Sequence, residues 1–134
     1  MTYLLDTDTC IAILRSEKKV VTKIQSVAPS EIAFSSVTRY ELHFGALRCA
    51  ANRRKEELMK IKTFLNQINE LPFKKATAEH TAQIRQELAI LGLPIGPIDL
   101  QIAATALESN LILVTGNDRE FTRIENLQIE NWIR

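Results

Sequence analysis

The sequence predicts an α/β domain in which a short, mostly parallel sheet carries helices on both faces, a three-layer α/β/α arrangement. Three observations carry that expectation. Tyr3-Leu4-Leu5, Ile32-Ala33-Phe34 and Leu111–Val114 are apolar runs too short for helices and too uniform for half-exposed strands, as buried parallel strands are. Between them lie longer stretches whose apolar residues recur at three and four. No internal repeat, linker or low-complexity tract divides the 134 residues, so residues 1–134 are expected to form one domain.

Taken in order, Tyr3–Leu5 ends at Asp6, and DTDTCIAILRS then reads as a turn and a helix with Asp8 or Thr9 as N-cap. A second helix is expected over Lys19–Val27, closed by Pro29, and Ile32–Phe34 is the next strand. Ser36 or Thr38 can cap a helix bearing Tyr40, Phe44 and Leu47 at i, i+4 and i+7. Arg53–Ile68 is amphipathic through Leu58, Ile61, Leu65 and Ile68, and Glu70-Leu71-Pro72 suits a brief edge strand. Thr77–Leu91 is helical with Ile84, Leu88 and Leu91 on one stripe and Gly92 as its stop. The loop LPIGP leads into a helix over Ile98–Ser109 with Ile102, Ala103 and Ala106 inward, and a last strand falls near Leu127–Ile129.

Composition excludes several classes. An apolar fraction of 46% and a charged fraction of 25% are those of an ordinary globular protein, able to fold without disulfides or a structural metal. No apolar run approaches the ~18 residues of a membrane span, and the start MTYLLDTDT does not read as a signal peptide. Cys10 and Cys49 have neither the spacing of a zinc site nor that of a disulfide framework, so reduced thiols in a cytoplasmic protein are expected. The net charge of +1 hides an asymmetry. Residues 36–75 carry nine basic and four acidic side chains, and residues 76–134 four basic and eight acidic. An anionic ligand near the middle and a cation among the later acids would account for it, and so would solvated helix faces.

Parallel sheets bind ligands beyond the carboxyl ends of their strands. Asp6 ends the first strand, Asp118 follows the strand that leads into VTGND, and Glu41 and Asp99 lie near the starts of helices that can open onto the same edge. Each has an ordinary reading as a cap or a helix-face carboxylate. Four carboxylates gathered at one place would repel and raise one another's pKa, which a hard divalent cation relieves. Such ions activate water and stabilise the leaving oxygen of a phosphodiester, and the basic middle segment could hold its backbone.

Four segments then become recognisable. LLDTDTCI at 4–11, SSVTRYELHFGA at 35–46, PIGPIDLQIAATA at 94–106 and LILVTGNDREFTRIENLQIENW at 111–132 resemble the PIN-domain ribonucleases, and more closely the VapC-type toxins of bacterial toxin–antitoxin pairs. The resemblance covers nearly the whole chain. It implies a PIN-like α/β/α domain that cleaves RNA with Mg²⁺ or Mn²⁺, is silenced by a cognate VapB-type antitoxin, and forms a homodimer. Asp6 and Asp99 would be the central metal ligands, Glu41 would complete the first site, and Asp118 is favoured as the fourth acid with Glu120 as the alternative. Asp8 stands where relatives often have Asn and adds a charge. Thr7 and Thr115 would orient ligand carboxylates or water through their hydroxyls.

Arg48, Arg53, Arg54, Lys55 and Arg119 are candidates for gripping RNA or an antitoxin tail, although a solvated helix end explains most of them equally well. His43, two residues from Glu41, falls on another helix face, and His80 has no motif around it, so neither is read as catalytic. Trp132 reads as a packing anchor. Tyr40, Phe44, Leu47 and the stripe over 58–68 offer a surface for a second copy, with core packing as the simpler account of most. Competing functions are a phosphoacceptor receiver, which lacks the needed acid after Phe34 and the Lys after VTGND, a non-catalytic binding scaffold, and a housekeeping RNA-processing nuclease.

Overall fold

Strand alternation sorts the apolar side chains onto two faces, and the helices divide accordingly. The computed structural model describes residues 1–134. Its strands are β1 (Tyr3–Leu5), β2 (Ile32–Ser35), β3 (Asn69–Leu71), β4 (Ile112–Val114) and β5 (Ile129–Glu130), in the order β3-β2-β1-β4-β5 with every pairing parallel. Leu4 stands in register with Ala33 and Leu113, and these three face one core; Leu5, Phe34 and Val114, one residue on, face the other.

The second face is covered by α1 (Thr7–Leu14), α2 (Lys18–Gln25), α3 (Ser36–Leu47) and α4 (Ala51–Leu65), which contribute Cys10, Val20, Leu42, Ala46, Ile61 and Leu65. The first is covered by α5 (Lys75–Ile90) and α6 (Pro97–Glu108), through Ile84, Leu88, Leu100, Ile102 and Ala103. A short α7 (Asp118–Phe121) plugs Phe121 into that same core. The result is the expected three-layer arrangement. No helix is long and apolar enough to cross a membrane.

This order places the site. From β1 the chain steps outward through β2 to β3, then crosses to β4 on the other side of β1 and outward again to β5. The carboxyl ends of β1 and β4 therefore lie side by side where the winding reverses, which is where doubly wound sheets open a crevice.

The differences from expectation are local. The N-cap of α1 is Asp6, whose side chain accepts from the Thr9 N–H at 2.8 Å, and not Asp8 or Thr9. Likewise Ser35, not Ser36 or Thr38, caps α3. Gly92 ends α5 with φ +68°, a left-handed conformation that costs glycine least, but Leu91 beside it is 66% exposed and leaves the buried stripe. The largest departure is on α3, where Tyr40, Phe44 and Leu47 form an outward apolar stripe while Leu42 and Ala46 take the core positions. The stripe over 58–68 does face the core, through Ile61 and Leu65.

These assignments separate two substitutions of similar chemistry. Phe34→Ala, at a site with no exposure, should cost about 3–5 kcal/mol in urea denaturation. Tyr40→Ser, at 61% exposure, should leave the stability of the isolated monomer within about 0.5 kcal/mol of the native chain.

Candidate active site

Asp6 is fixed from three directions. Its N–H donates to the Val114 carbonyl at 3.0 Å, its carbonyl accepts the Cys10 N–H at 3.1 Å, and its carboxylate takes the Thr9 N–H. Thr9 Oγ1 donates to the same Val114 carbonyl at 3.0 Å, so one oxygen at the end of β4 ties down the start of α1 twice. Only 3% of Asp6 is exposed. Burial pushes its pKa up, hydrogen bonds from Thr115 and Thr9 pull it part of the way back, and Asp8 raises it again.

Asp99 sits in the first turn of α6, after Gly96 and Pro97 have set the helix start. Its carboxyl is pushed up to about 6, first by burial and then by the charges of Asp6, Asp8, Glu120 and Glu41 in decreasing order. Acids from β1/α1, α3 and α7 thus act on one carboxyl of α6 at the crevice. None of the five takes part in an ion pair; the salt bridges of the chain lie elsewhere.

Neutral hydroxyls hold these acids. Thr7 Oγ1 donates to Glu41 Oε1 at 2.7 Å and lies 3.1 Å from Thr38 Oγ1. A hydroxyl has one proton, so Thr7, having given its own to Glu41, must accept from the fully buried Thr38. From the sequence Thr38 reads only as a possible cap; its spacing of three before Glu41 is the signal that points to this second role. Thr115, also fully buried, pulls the Asp6 carboxyl down and accepts the Asn117 N–H at 2.9 Å.

The fourth acid divides between two residues. Asp118 Oδ1 accepts from Asn131 Nδ2 at 3.0 Å. Glu120, two residues on in α7, is one of the charges that raise the Asp99 carboxyl. The charges of Asp6, Asp8, Glu120 and Glu41 thus bear on Asp99, Thr7 holds Glu41, and Asp118 is bonded to the C-terminal tail.

The donor set suits a hard cation that oxygen ligands bind. It consists of carboxylates with excess negative charge and no neutralising Lys or Arg. No three of these acids stand close enough together to form a ready-made cation site.

The basic candidates are largely engaged nearby. Arg48 stacks 5.6 Å from the Phe44 ring centre, Arg53 pairs with Glu57 at 3.6 Å, and Arg54 Nε donates to the Cys49 carbonyl at 3.0 Å. Lys55 lines the largest surface groove, between the end of α1 and α4, with Leu14, Met59 and Phe64. Arg119 is exposed beside Glu120 and makes no ion pair. His43 is exposed, His80 lies on α5, and Trp132 is 4% exposed with its ring edge-on to Tyr3 at 5.0 Å, a packing anchor.

Three comparisons bear on these observations. The family profile described as PIN domain matches residues 3–127. The tRNA(fMet)-specific endonuclease VapC of Salmonella typhimurium is 37% identical over 130 residues, spanning 97% of both chains. The protein of the same name from Shigella flexneri is 38% identical over the same shares. A chain in the crystal structure of DNA-bound VapBC from Salmonella typhimurium superposes with a TM-score of 0.91 at 36% identity, covering 98% of each chain.

The raised Asp99 carboxyl gives a signed pH dependence. Without divalent cation, the folded chain binds a proton at Asp99 that the unfolded chain releases near its ordinary 3.8. That contribution is complete below about pH 4 and is lost as pH rises through about 6. In EDTA at pH 7.5, Asp99→Asn should therefore be more stable than the native chain by about 1 kcal/mol, reduced for the screening of a half-exposed group. The gap, read as a melting-temperature difference of about 4 °C, should close by pH 4.

Proposed function

This chain belongs to the PIN domain family and, within it, to the VapC proteins, and from that premise we propose that it is a metal-dependent endoribonuclease hydrolysing RNA phosphodiester bonds, the toxin of a toxin–antitoxin pair. The observation that carries the reading is the un-neutralised acidic cluster about Asp6 and Asp99 at the crevice between β1 and β4.

Asp6, Asp99 and Glu41 are the residues to hold Mg²⁺ or Mn²⁺, with Glu120 rather than Asp118 as the fourth acid. Such an ion, when bound, supplies an activated water and neutralises charge on the phosphodiester. The chain's own residues do the positioning. Asp6 is locked to the end of β4 through its backbone and aimed by Thr9 and Thr115. The Thr38–Thr7 relay fixes one oxygen of Glu41 and leaves the other free. Arg119, exposed and next to Glu120, is the basic side chain best placed to meet a phosphate at this edge. The open crevice suits an extended polyanion better than a small enclosed substrate.

The Salmonella and Shigella relatives are named for tRNA(fMet), which makes that tRNA the first substrate to test. The Salmonella structure is a VapBC complex, which supports a VapB-type antitoxin as partner. A second copy of the chain is the other proposed partner, and the outward stripe of Tyr40, Phe44 and Leu47 is the surface offered for it.

Purified chain with Mg²⁺ or Mn²⁺ should cut total cellular RNA, and initiator tRNA first, into discrete products that EDTA abolishes. Asp6→Asn, Asp99→Asn and Glu41→Gln, shown to be folded by circular dichroism, should each lose more than the roughly 10–100-fold that loss of a ligand's outer partner costs. Intact RNA with every metal would overturn the catalytic reading. Light scattering should separately show a dimer that Phe44→Asp converts to monomer.

A further inference from the structure

The C-terminal tail is built as a latch on the segment that carries Glu120. β5 closes the sheet edge through the Thr115 N–H donating to the Glu130 carbonyl at 3.0 Å. Trp132 then drops into the core beside Tyr3, with its Nε1 donating to Glu130 Oε1 at 3.0 Å. Between these two anchors lies Asn131, and every polar atom of its side chain is used. Oδ1 accepts the N–H groups of Ile133 at 2.9 Å and Arg134 at 3.1 Å, curling the tail back on itself. Nδ2 reaches across to Asp118 Oδ1. The curl also lays Ile133 over Gly116, so closely that a Cβ there would stand 2.9 Å from Ile133 Cδ1. The segment Gly116–Glu120 thus meets Ile133 at its first residue and is hydrogen-bonded at Asp118, while Phe121 anchors its far end in the core. A four-residue helix has too few internal hydrogen bonds to orient itself, so its rotation about the Phe121 anchor depends on contacts such as that at Asp118.

We propose that Asn131 is a positioning residue of the acidic site: through Asp118 and the Ile133–Gly116 contact it sets the orientation of α7, and so holds Glu120 toward Asp99. On this account Asp118 serves as the latch's receiver and holds no cation. The inference rests on the metal-site reading of the preceding subsection.

The test measures Mn²⁺ affinity of the full chain by calorimetry, without RNA, alongside thermal melting followed by Trp132 fluorescence. Asn131→Ala should weaken Mn²⁺ about tenfold, at the lower edge of the loss expected for an outer partner. Asp118→Asn keeps an acceptor for Asn131 but removes the charge, and should bind Mn²⁺ within about twofold of native. Asp118→Ala should repeat the Asn131→Ala loss while leaving the tail's own bonds intact, and it serves should Asn131→Ala fail to fold. In a Glu120→Gln background, Asn131→Ala should have no further effect on affinity, which a general loss of stability would not reproduce.

Native affinity in Asn131→Ala or Asp118→Ala would overturn the latch. A loss in Asp118→Asn as large as in Asp118→Ala would overturn it too, making Asp118 a ligand. A native chain that binds no Mn²⁺ would instead overturn the metal-site reading on which the latch depends.

Discussion

A carboxylate buried at the end of the first strand is the constraint around which this chain is organised. Asp6 stands where burial works against its charge, and what keeps it there is backbone geometry: its N–H on Val114, its carbonyl on Cys10, its side chain on Thr9. Capping and function are not rivals at this position. The hydrogen bond that starts α1 also fixes one carboxylate oxygen, and Thr115 adds a bond from the neighbouring strand end. Because β1 and β4 meet only where the winding of the sheet reverses, the same topology that orders the strands decides where the acids assemble.

The parts of the fold legible in the sequence are those fixed by burial alone. β1, β2 and the strand leading into VTGND are buried runs, and no other element explains three consecutive apolar residues ending at Asp6 or Thr115. The misplaced parts turn on choices that sequence leaves degenerate. Asp6, Asp8 and Thr9 are all competent caps, and only the exit direction of β1 selects the first. On α3 the helical period shows a stripe of Tyr40, Phe44 and Leu47 but not whether the sheet covers it; Leu42 and Ala46 are the residues that turn inward.

Asp6, Glu41 and Asp99 are legible in the sequence as site candidates because each sits at a fixed offset from a strand end or helix start. The fourth acid stays divided between Asp118 and Glu120. Within NDREF, Asp118 and Glu120 are two residues apart, so in a helical turn they point to opposite sides and the sequence does not say which side meets the crevice. The buried Phe121 and the Asn131–Asp118 hydrogen bond hold this turn, and no local pattern reveals a contact with a residue 13 positions away.

The partners of the carboxylates separate those that serve the fold from those that serve the site. Glu70 is neutralised by a bidentate Arg39, Glu57 by Arg53 and Lys60, and Glu31 lies beside the N-terminal ammonium. At the crevice the donors are a backbone N–H and the hydroxyls of Thr7 and Thr115, all neutral. Neutral donors fix direction without cancelling charge, so the cluster keeps its negative field while each oxygen is aimed. That arrangement raises the carboxyl of Asp99 and costs the chain stability whenever nothing cationic is present. A chain that needed only stability would place an Arg or Lys there, as it does at Glu70. The electrostatic cost is confined to the one edge of the sheet where four separate segments converge.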